Sequence, residues 1–396
     1  MPCGFDAKRA DHSTLCDNYW QKLKRWPKQA QGPELSVVDL FSGCGGMTLG
    51  LWEAARLANR QLRVRLAVDF NVHAASIYKE NFSFLCDDFI TADITDHFSA
   101  TVGTDLSDEE RRLKAAVGRL DMLVGGPPCQ GHSDLNNSSR RQDPRNSLYF
   151  RMVRAADVLC PQVILIENVP AVQHDRGHVV ARAENALEKM KYHVSSAVID
   201  IKTLGMAQSR KRHLLLATKE KTPTIKVMLD SLSTAPAALK TVIGDLPERL
   251  NESVYDTPSR PNSENQSRID HLFEKNIYNL PNELRPRCHS SKPHSYVSMY
   301  GRLSWGIPSQ TITSGFGSMG QGRFVHPEFR RMITPHEAAR IQGFPDFFSF
   351  LKLERRTLLQ EIIGNAVPPK LTASVMNCLL ARNIFNYEAI PPKLGE

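Results

Sequence analysis

The sequence predicts an α/β protein: a mostly parallel sheet with helices on both faces, joined to a smaller irregular domain. Three observations predict it. Short apolar runs alternate with helix-period segments from Ser36 to Ala217. A glycine-rich turn, SGCGG, joins the first run to the first helix, where glycine lets the backbone turn sharply. From Lys219 to Pro327 the alternation stops and the chain becomes rich in Pro, Ser, Asn, Arg and Gly, the composition of long functional loops.

The elements follow in order. Ser36–Phe41 (SVVDLF) is a β-branched apolar run and reads as a buried strand, followed by a helix from Met47 to about Ala58. Leu62–Phe70 reads as the second strand and Val72–Asn81 as the next helix. Asp121–Val124 (DMLV) is a strand that ends in the breaker GGPPCQG. Ser147–Leu159 is an amphipathic helix, and Val163–Ile166 (VILI) is a strand leading into ENVP. A helix near Val179–Met190 and strands at His193–Ile201 and His213–Ala217 complete the alternation. After the insert, helical periodicity returns at Pro335–Gln342, Glu354–Ile362 and Leu371–Phe385. Near the N-terminus, LCDNYWQKLKRW reads as a basic amphipathic helix, either packed on the main domain or docking on DNA.

Composition narrows the function classes. The chain has 396 residues, 41% of them hydrophobic, enough for one large domain plus a smaller one. No apolar run reaches the roughly 18 residues of a membrane span, and the first residues show no secretory signal. A cytoplasmic, nucleoid-associated protein with no membrane partner is expected. Its 8 cysteines are scattered without a CxxC pair, so neither a disulfide framework nor a metal site is expected. The formal net charge of +8 suits a polyanionic partner without deciding for one.

Two constellations carry chemistry. The glycine turn presents the free amides of a helix N-terminus, and about 25 residues on, Asp69 ends the second strand, where an acid can accept from ribose hydroxyls. By itself this fits a ligand cradle and an ordinary tight turn equally well. In DMLVGGPPCQGHS, a strand delivers the chain to a stiff Pro-Pro pair and then Cys129. A cysteine at the C-terminal end of such a strand points into the usual ligand crevice. Glu167, after VILI, brings a carboxylate to the same sheet edge. Arg210 and Arg212, in AQSRKRH, stand at alternate positions of a strand start, so their side chains should point the same way.

The ordered set DLFSGCGG, GGPPCQG, ENV, QSRKR, RMITPHEAARIQGFPD and IGNAVPP resembles the DNA (cytosine-5) methyltransferase family. The resemblance covers nearly the whole chain apart from the N-terminal extension and the region before Gly301. It implies a Rossmann-like S-adenosylmethionine-dependent methyltransferase fold plus a target-recognition domain. The divisions would be an extension over 1–34, a catalytic domain over 35–218, the recognition domain over 219–330 and completing helices over 331–396. The cofactor implied is S-adenosyl-L-methionine, held by Phe41, Gly43, Gly45, Asp69, Phe70, Asp93, Pro127, Asn365 and Val367. Asp69 stands where the family more often has Glu.

The resemblance also implies the chemistry. The Cys129 thiolate would add to carbon 6 of a flipped-out cytosine. Glu167 would engage ring nitrogen 3 and the amino group, Arg212 the base carbonyl, and Arg210 would support it. Carbon 5 then attacks the methyl group, and loss of its proton expels the cysteine. Gln130, Ser133, Arg140, Arg141 and Arg145, in the polar loop after Cys129, would meet DNA. Thr311-Ile312 resembles the family's Thr-Leu/Ile pair near the flipped base, and TSGFGSMGQGRF suits close approach to a DNA backbone. Arg285, Arg287, Lys292, Arg302 and Arg323 are candidate phosphate or guanine contacts. The partners expected are duplex DNA and a cognate restriction endonuclease or other defence component without an obligatory stable complex, with the chain itself a monomer. A tRNA methyltransferase of the same fold is the alternative, but the insert lacks the Cys-Phe-Thr element of those relatives. A catalytically silent DNA-binding regulator is a further alternative, opposed by the intact Cys129, Glu167, Arg210, Arg212 and Asn365.

Overall fold

A computed structural model describes residues 20–128, 148–175, 177–248, 251–287 and 299–385. Seven strands form one sheet: β1 (Glu34–Leu40), β2 (Gln61–Asp69), β3 (Phe89–Thr91), β4 (Met122–Gly125), β5 (Val163–Asn168), β6 (His193–Asp200) and β7 (Lys211–Thr218). Their order is β3-β2-β1-β4-β5-β7-β6. The first five pair in parallel, and β7 runs antiparallel between β5 and β6. The expected mostly parallel sheet is present, with its antiparallel part confined to one side.

Alternation along each strand divides the apolar residues between two cores, because successive side chains leave a strand on opposite faces. Leu35 and Val37 enter one core while Val38 and Leu40 enter the other. Val163 and Leu165 likewise oppose Ile164 and Ile166. Burial on both faces explains why these strands read as continuous apolar runs.

Helices connect and cover the sheet: α1 (Gly46–Leu57), α2 (Val72–Phe82), α3 (Ile94–His97), α4 (Asp108–Val117), α5 (Leu148–Leu159) and α6 (Val179–Lys189). In the insert lie α7 (Ile225–Asp230), α8 (Leu239–Ile243) and α9 (Ser263–Glu274). The C-terminal region supplies α10 (Pro335–Gln342), α11 (Arg356–Asn365) and α12 (Pro369–Leu380). Thr372 on α12 donates to Met47 O at 3.0 Å, which docks α12 onto the first turn of α1. Neither α4 nor α9 was expected. Helix α4 carries a full capping box between Ser107 and Glu110, and α9 is capped by the Asn262 side chain.

The segment expected to form an N-terminal amphipathic helix contains, among the described residues, one 3-10 turn at Trp20–Lys22. Its aromatics decide its place. Trp20 is buried with its ring 5.9 Å from Phe347, and Trp26 lies 4.5 Å from Phe347 and 4.9 Å from Trp52. These residues therefore pack on the main body. Among the described residues no helix is long and apolar enough to cross a membrane.

Candidate active site

Strand register assembles the site. Leu40 pairs with Val68 on one side and Gly125 on the other, and Gly125 pairs with Ile166. The next residue on each strand, Phe41, Asp69, Gly126 and Glu167, therefore falls in one row at the carboxyl edge. The strand order reverses beside β1, the position where open α/β sheets bind ligands. Sequence had placed these residues at strand ends, and the register brings them together.

The glycine turn is held by Asp69. Gly43 N donates to Asp69 Oδ2 at 2.7 Å, and Asn71 N to Asp69 Oδ1 at 2.8 Å. Burial raises the Asp69 pKa, and the two amides oppose that rise. Gly43 and Gly45 have φ of 56° and 94°, a region that favours glycine. A side chain on Gly46 would run into Val367 O, so this turn and the segment after α11 are packed backbone to backbone. Cys44, inside the turn, is buried and its thiol is pushed up to about 12, chiefly by burial. It is a protonated packing group.

Around this turn the surface fits an adenosyl ligand. Phe70, at the end of β2, is 65% exposed despite its size. Phe41, at the end of the neighbouring β1, is half-buried, and a Cβ on Gly43 would meet nothing within 4 Å. Asp93 caps α3 by accepting from Thr95 N through Oδ1 at 2.8 Å and is itself exposed. Asn365 is exposed at the end of α11. An aromatic face, open space over glycine and exposed polar ends together suit a flat base and a polar tail.

The second half of the site gathers around Glu167. A Cβ on Gly126 would lie 3.3 Å from Glu167 Oε2 and 3.7 Å from Val367 Cγ2. Arg212 Nε lies 2.7 Å from Glu167 Oε1, as an ion pair without an aligned hydrogen bond, so the carboxylate keeps acceptor capacity. Burial lowers the Arg212 pKa, and Glu167 partly offsets it. Asn168 Nδ2 donates to Pro127 O at 3.2 Å and so fixes the chain two residues before Cys129. Cys129, Gln130, Ser133, Arg140, Arg141, Arg145 and Lys292 lie outside the described residues.

Arg210 precedes β7 and is buried, close enough to Arg212 and Glu167 to feel both charges. Its guanidinium donates to Ile312 O at 2.8 Å, Gly364 O at 3.2 Å and Ala366 O at 3.2 Å. Burial holds its pKa well below the ordinary value, and the Arg212 charge adds to that. Arg210 thus holds two neighbouring segments and is a positioning residue. Gln208, whose role the sequence did not reveal, completes the arrangement. Gln208 Oε1 accepts from Ile312 N at 3.0 Å, and its Nε2 donates to Gln342 Oε1 at 2.8 Å. Gln342 in turn donates to Ile363 O at 2.7 Å.

In the insert, Thr311 Oγ1 donates to Ser209 O at 2.9 Å, which ties the Thr-Ile pair to the segment before β7. Arg302 is corrected as a DNA contact: it is buried, with its guanidinium 4.5 Å over the Phe273 ring and 4.7 Å over Tyr278. Arg323 is half-buried and bonds to Asn279 Oδ1. Arg285 donates to Leu280 O at 3.2 Å. Arg287 is exposed at the end of a described segment.

Comparison with known proteins decides the family. A model of C-5 cytosine-specific DNA methylases matches residues 35–381. The chain belongs to the C-5 cytosine-specific DNA methylases. It is 43% identical to the type II methyltransferase M1.BsuMI of Bacillus subtilis, over 93% of this methylase and 86% of that protein. It is 30% identical to the type II methylase M.HgiDII of Herpetosiphon aurantiacus, over 85% and 92%. Among solved structures it resembles S. pombe Dnmt2 methyltransferase, with TM-score 0.60, 17% identity and coverage of 88% and 99%. At that identity the likeness concerns the fold. The methylase is an enzyme with the Rossmann-like α/β fold of S-adenosylmethionine-dependent methyltransferases.

Proposed function

We propose that this methylase acts on carbon 5 of a cytosine turned out of duplex DNA, within a specific sequence, as a type II modification enzyme. The observation that carries it is the single row of Phe41, Asp69, Gly126 and Glu167 at the carboxyl edge, with Arg212 against Glu167. The names of the two relatives above support the sequence-specific part.

Bound S-adenosylmethionine would supply an electrophilic methyl group on a sulfonium. Phe41, Gly43, Gly45, Asp69, Phe70, Asp93, Pro127, Asn365 and Val367 would hold it. On the protein side, Asn168 fixes the Pro127 carbonyl and with it the approach of Cys129. The Cys129 thiolate forms a bond to carbon 6 of the base. Glu167 hydrogen-bonds ring nitrogen 3 and the amino group as charge builds on the ring, and Arg212 holds the carbonyl. These contacts leave carbon 5 electron-rich. Once it carries the methyl group, carbon 5 gives up its proton to a water molecule, the carbon 5–carbon 6 double bond re-forms and the thiolate leaves. Gln130, Ser133, Arg140 and Arg141 would close over the DNA, with Thr311 near the turned-out base and Arg323 toward the backbone. Residues 219–330 serve as the recognition domain, one chain acts on one base as a monomer, and the setting is the cytoplasm beside the nucleoid. A companion endonuclease of the same specificity requires no stable complex.

The test incubates the purified protein and a Cys129→Ala variant with labelled S-adenosylmethionine and unmethylated genomic DNA or total tRNA. We expect 5-methylcytosine in DNA at one sequence context and none with the variant. Label confined to tRNA, or surviving in the variant, overturns the proposal.

A further inference from the structure

The segment Thr257–Arg260 of the insert runs along the first turn of α11. Arg356 Nη2 donates to Thr257 Oγ1 at 2.8 Å and Gln360 Nε2 to Ser259 Oγ at 3.0 Å. The glycine-rich stretch crosses at the same place, since a side chain on Gly317 would run into Gln360 Nε2 and Ser259 Oγ. That stretch starts at Thr311-Ile312, which is tied to Ser209 and Gln208 beside the active site. The junction therefore lies on the path leading from the base site into the insert.

Three arginines meet there under unfavourable terms. Among the described residues, none of Arg260, Arg355 and Arg356 forms an ion pair with an acid, and Arg356 meets only the neutral oxygens of Thr257. Arg260 stands near enough that its charge, after burial, lowers the proton affinity of Arg356. Arg355 is the N-cap and Arg356 the first residue of α11, with no acid in that first turn. Cations there oppose the helix dipole. By contrast, α4 opens with Asp108, Glu109 and Glu110, and α10 has Glu337 in its first turn. Arg260 stands between Pro258 and Pro261, which restrict its backbone.

We propose that Arg260 and Arg356, with Arg355 beside them, clamp the sugar–phosphate backbone of the substrate DNA where the insert meets the C-terminal helices. This rests on the reading of the protein as a duplex-DNA methylase. Phosphates relieve the like-charge repulsion and the unfavourable helix end together, and a guanidinium matches a phosphate through paired N–H donors. The net charge of +8 gives such a contact a favourable long-range field. The clamp carries no sequence information; it fixes the register of the duplex while base-edge contacts specify the site.

Binding of a fluorescein-labelled duplex, cut from unmethylated genomic DNA that the wild-type protein methylates, is measured by anisotropy across salt concentrations. The full-length wild type is compared with Arg260→Ala/Arg356→Ala and with Arg260→Lys/Arg356→Lys. Each phosphate contact contributes about 0.9 to the slope of log affinity against log salt. The double alanine variant should lose about 1.8 from that slope, so its affinity falls about tenfold less than wild type between roughly 50 and 200 mM salt. The lysine variant should retain most of the slope, and the alanine variant, which loses the Arg356 bonds to Thr257, is compared at a temperature where its circular dichroism matches wild type. An unchanged slope and affinity in the alanine variant, with a wild type that binds and methylates, overturns the clamp alone. A wild type that neither binds nor methylates unmethylated genomic DNA overturns the clamp and the methylase reading together.

Discussion

The ends of the parallel strands and the segment that closes against them are built in opposite ways. At the strand ends, binding capacity is left over: Phe70 is 65% exposed and Glu167 Oε1 has no aligned donor. In the closing segment nearly everything is used. Gln208, Gln342 and Arg210 are buried and bond to one another's segments, and only Arg210 Nε lacks an acceptor. A buried polar group without a partner costs folding free energy, a cost carried at the strand ends by Glu167 and in the closing segment by Gln310. The first region is shaped for substrate and the second for holding.

Substitution at the strand ends should therefore remove turnover more than stability. On the proposed mechanism Glu167→Gln removes the carboxyl group that hydrogen-bonds ring nitrogen 3 and the amino group, and groups in such roles contribute roughly 10²–10⁴-fold. We expect kcat to fall within that range in single-turnover assays. Arg212 loses its ion pair but keeps its bond to Lys211 O at 2.7 Å, so the melting temperature should move less than for a change in the closing segment. A Glu167→Gln enzyme with near-normal turnover would break the comparison.

The converse holds for Arg210→Met. Methionine fills similar space but donates nothing to Ile312 O, Gly364 O and Ala366 O. Gly364 and Ala366 sit at the end of α11, where helix carbonyls have no partner of their own. The loss should be about 3 kcal/mol, measured by urea unfolding with wild type as reference. Because Arg210 joins Ile312 of the insert to the segment carrying Asn365 and Val367, weakened binding of both DNA and cofactor should follow. Normal stability with turnover alone abolished would return Arg210 to a direct role at the base.

Sequence carried the sheet and the strand-end positions of Asp69, Phe70 and Glu167 because these rest on local signals, whereas the roles of the site residues came from the family resemblance. The strands are buried on both faces, and continuous apolar runs such as VILI announce this without knowledge of pairing. Glu167, Asp69 and Phe70 stand at the ends of those runs, where the fold class alone puts them at a ligand edge. What stayed hidden depends on long-range contacts. The bonds that bury Arg210 had no local signal. Its partners lie 102 to 156 residues away. Arg302 looks like any basic residue until Phe273 and Tyr278 close over it. Helix α9 was missed because SENQSRIDHLFE buries only Ile269 and Leu272, too few apolar positions to show a period. Helix α4 went unread although its Ser107–Glu110 capping box is a local signal.

The smallest expected effect sharpens the comparison at the joint between insert and C-terminal helices. His336, on α10, lies between two acids: Nδ1 is 2.8 Å from Asp256 Oδ1 and Nε2 is 3.0 Å from Asp346 Oδ1. Tyr255 stacks on its ring at 4.8 Å, and Arg340 joins Asp346 to Asp245. Burial disfavours the charged imidazole, but the bonds to Asp256 and Asp346 outweigh it, so the His336 pKa is raised. Asp346 is lowered to about 2: burial works against that, and the bonds to His336 and Arg340 prevail. A base with a raised folded pKa adds stability that is complete below its unfolded value, about 6.5. That stability is lost as pH rises through the folded value. The melting-temperature gap between wild type and His336→Gln should thus be widest near pH 6 and narrow toward pH 9, by a few degrees at most. The gap isolates His336, because the buried neutral His213 and His326, both held down to about 4 by burial, respond equally in the two proteins. A gap that stays constant from pH 6 to 9 would mean that the joint is held by packing of Tyr255 and Phe350, with the charge on His336 contributing nothing.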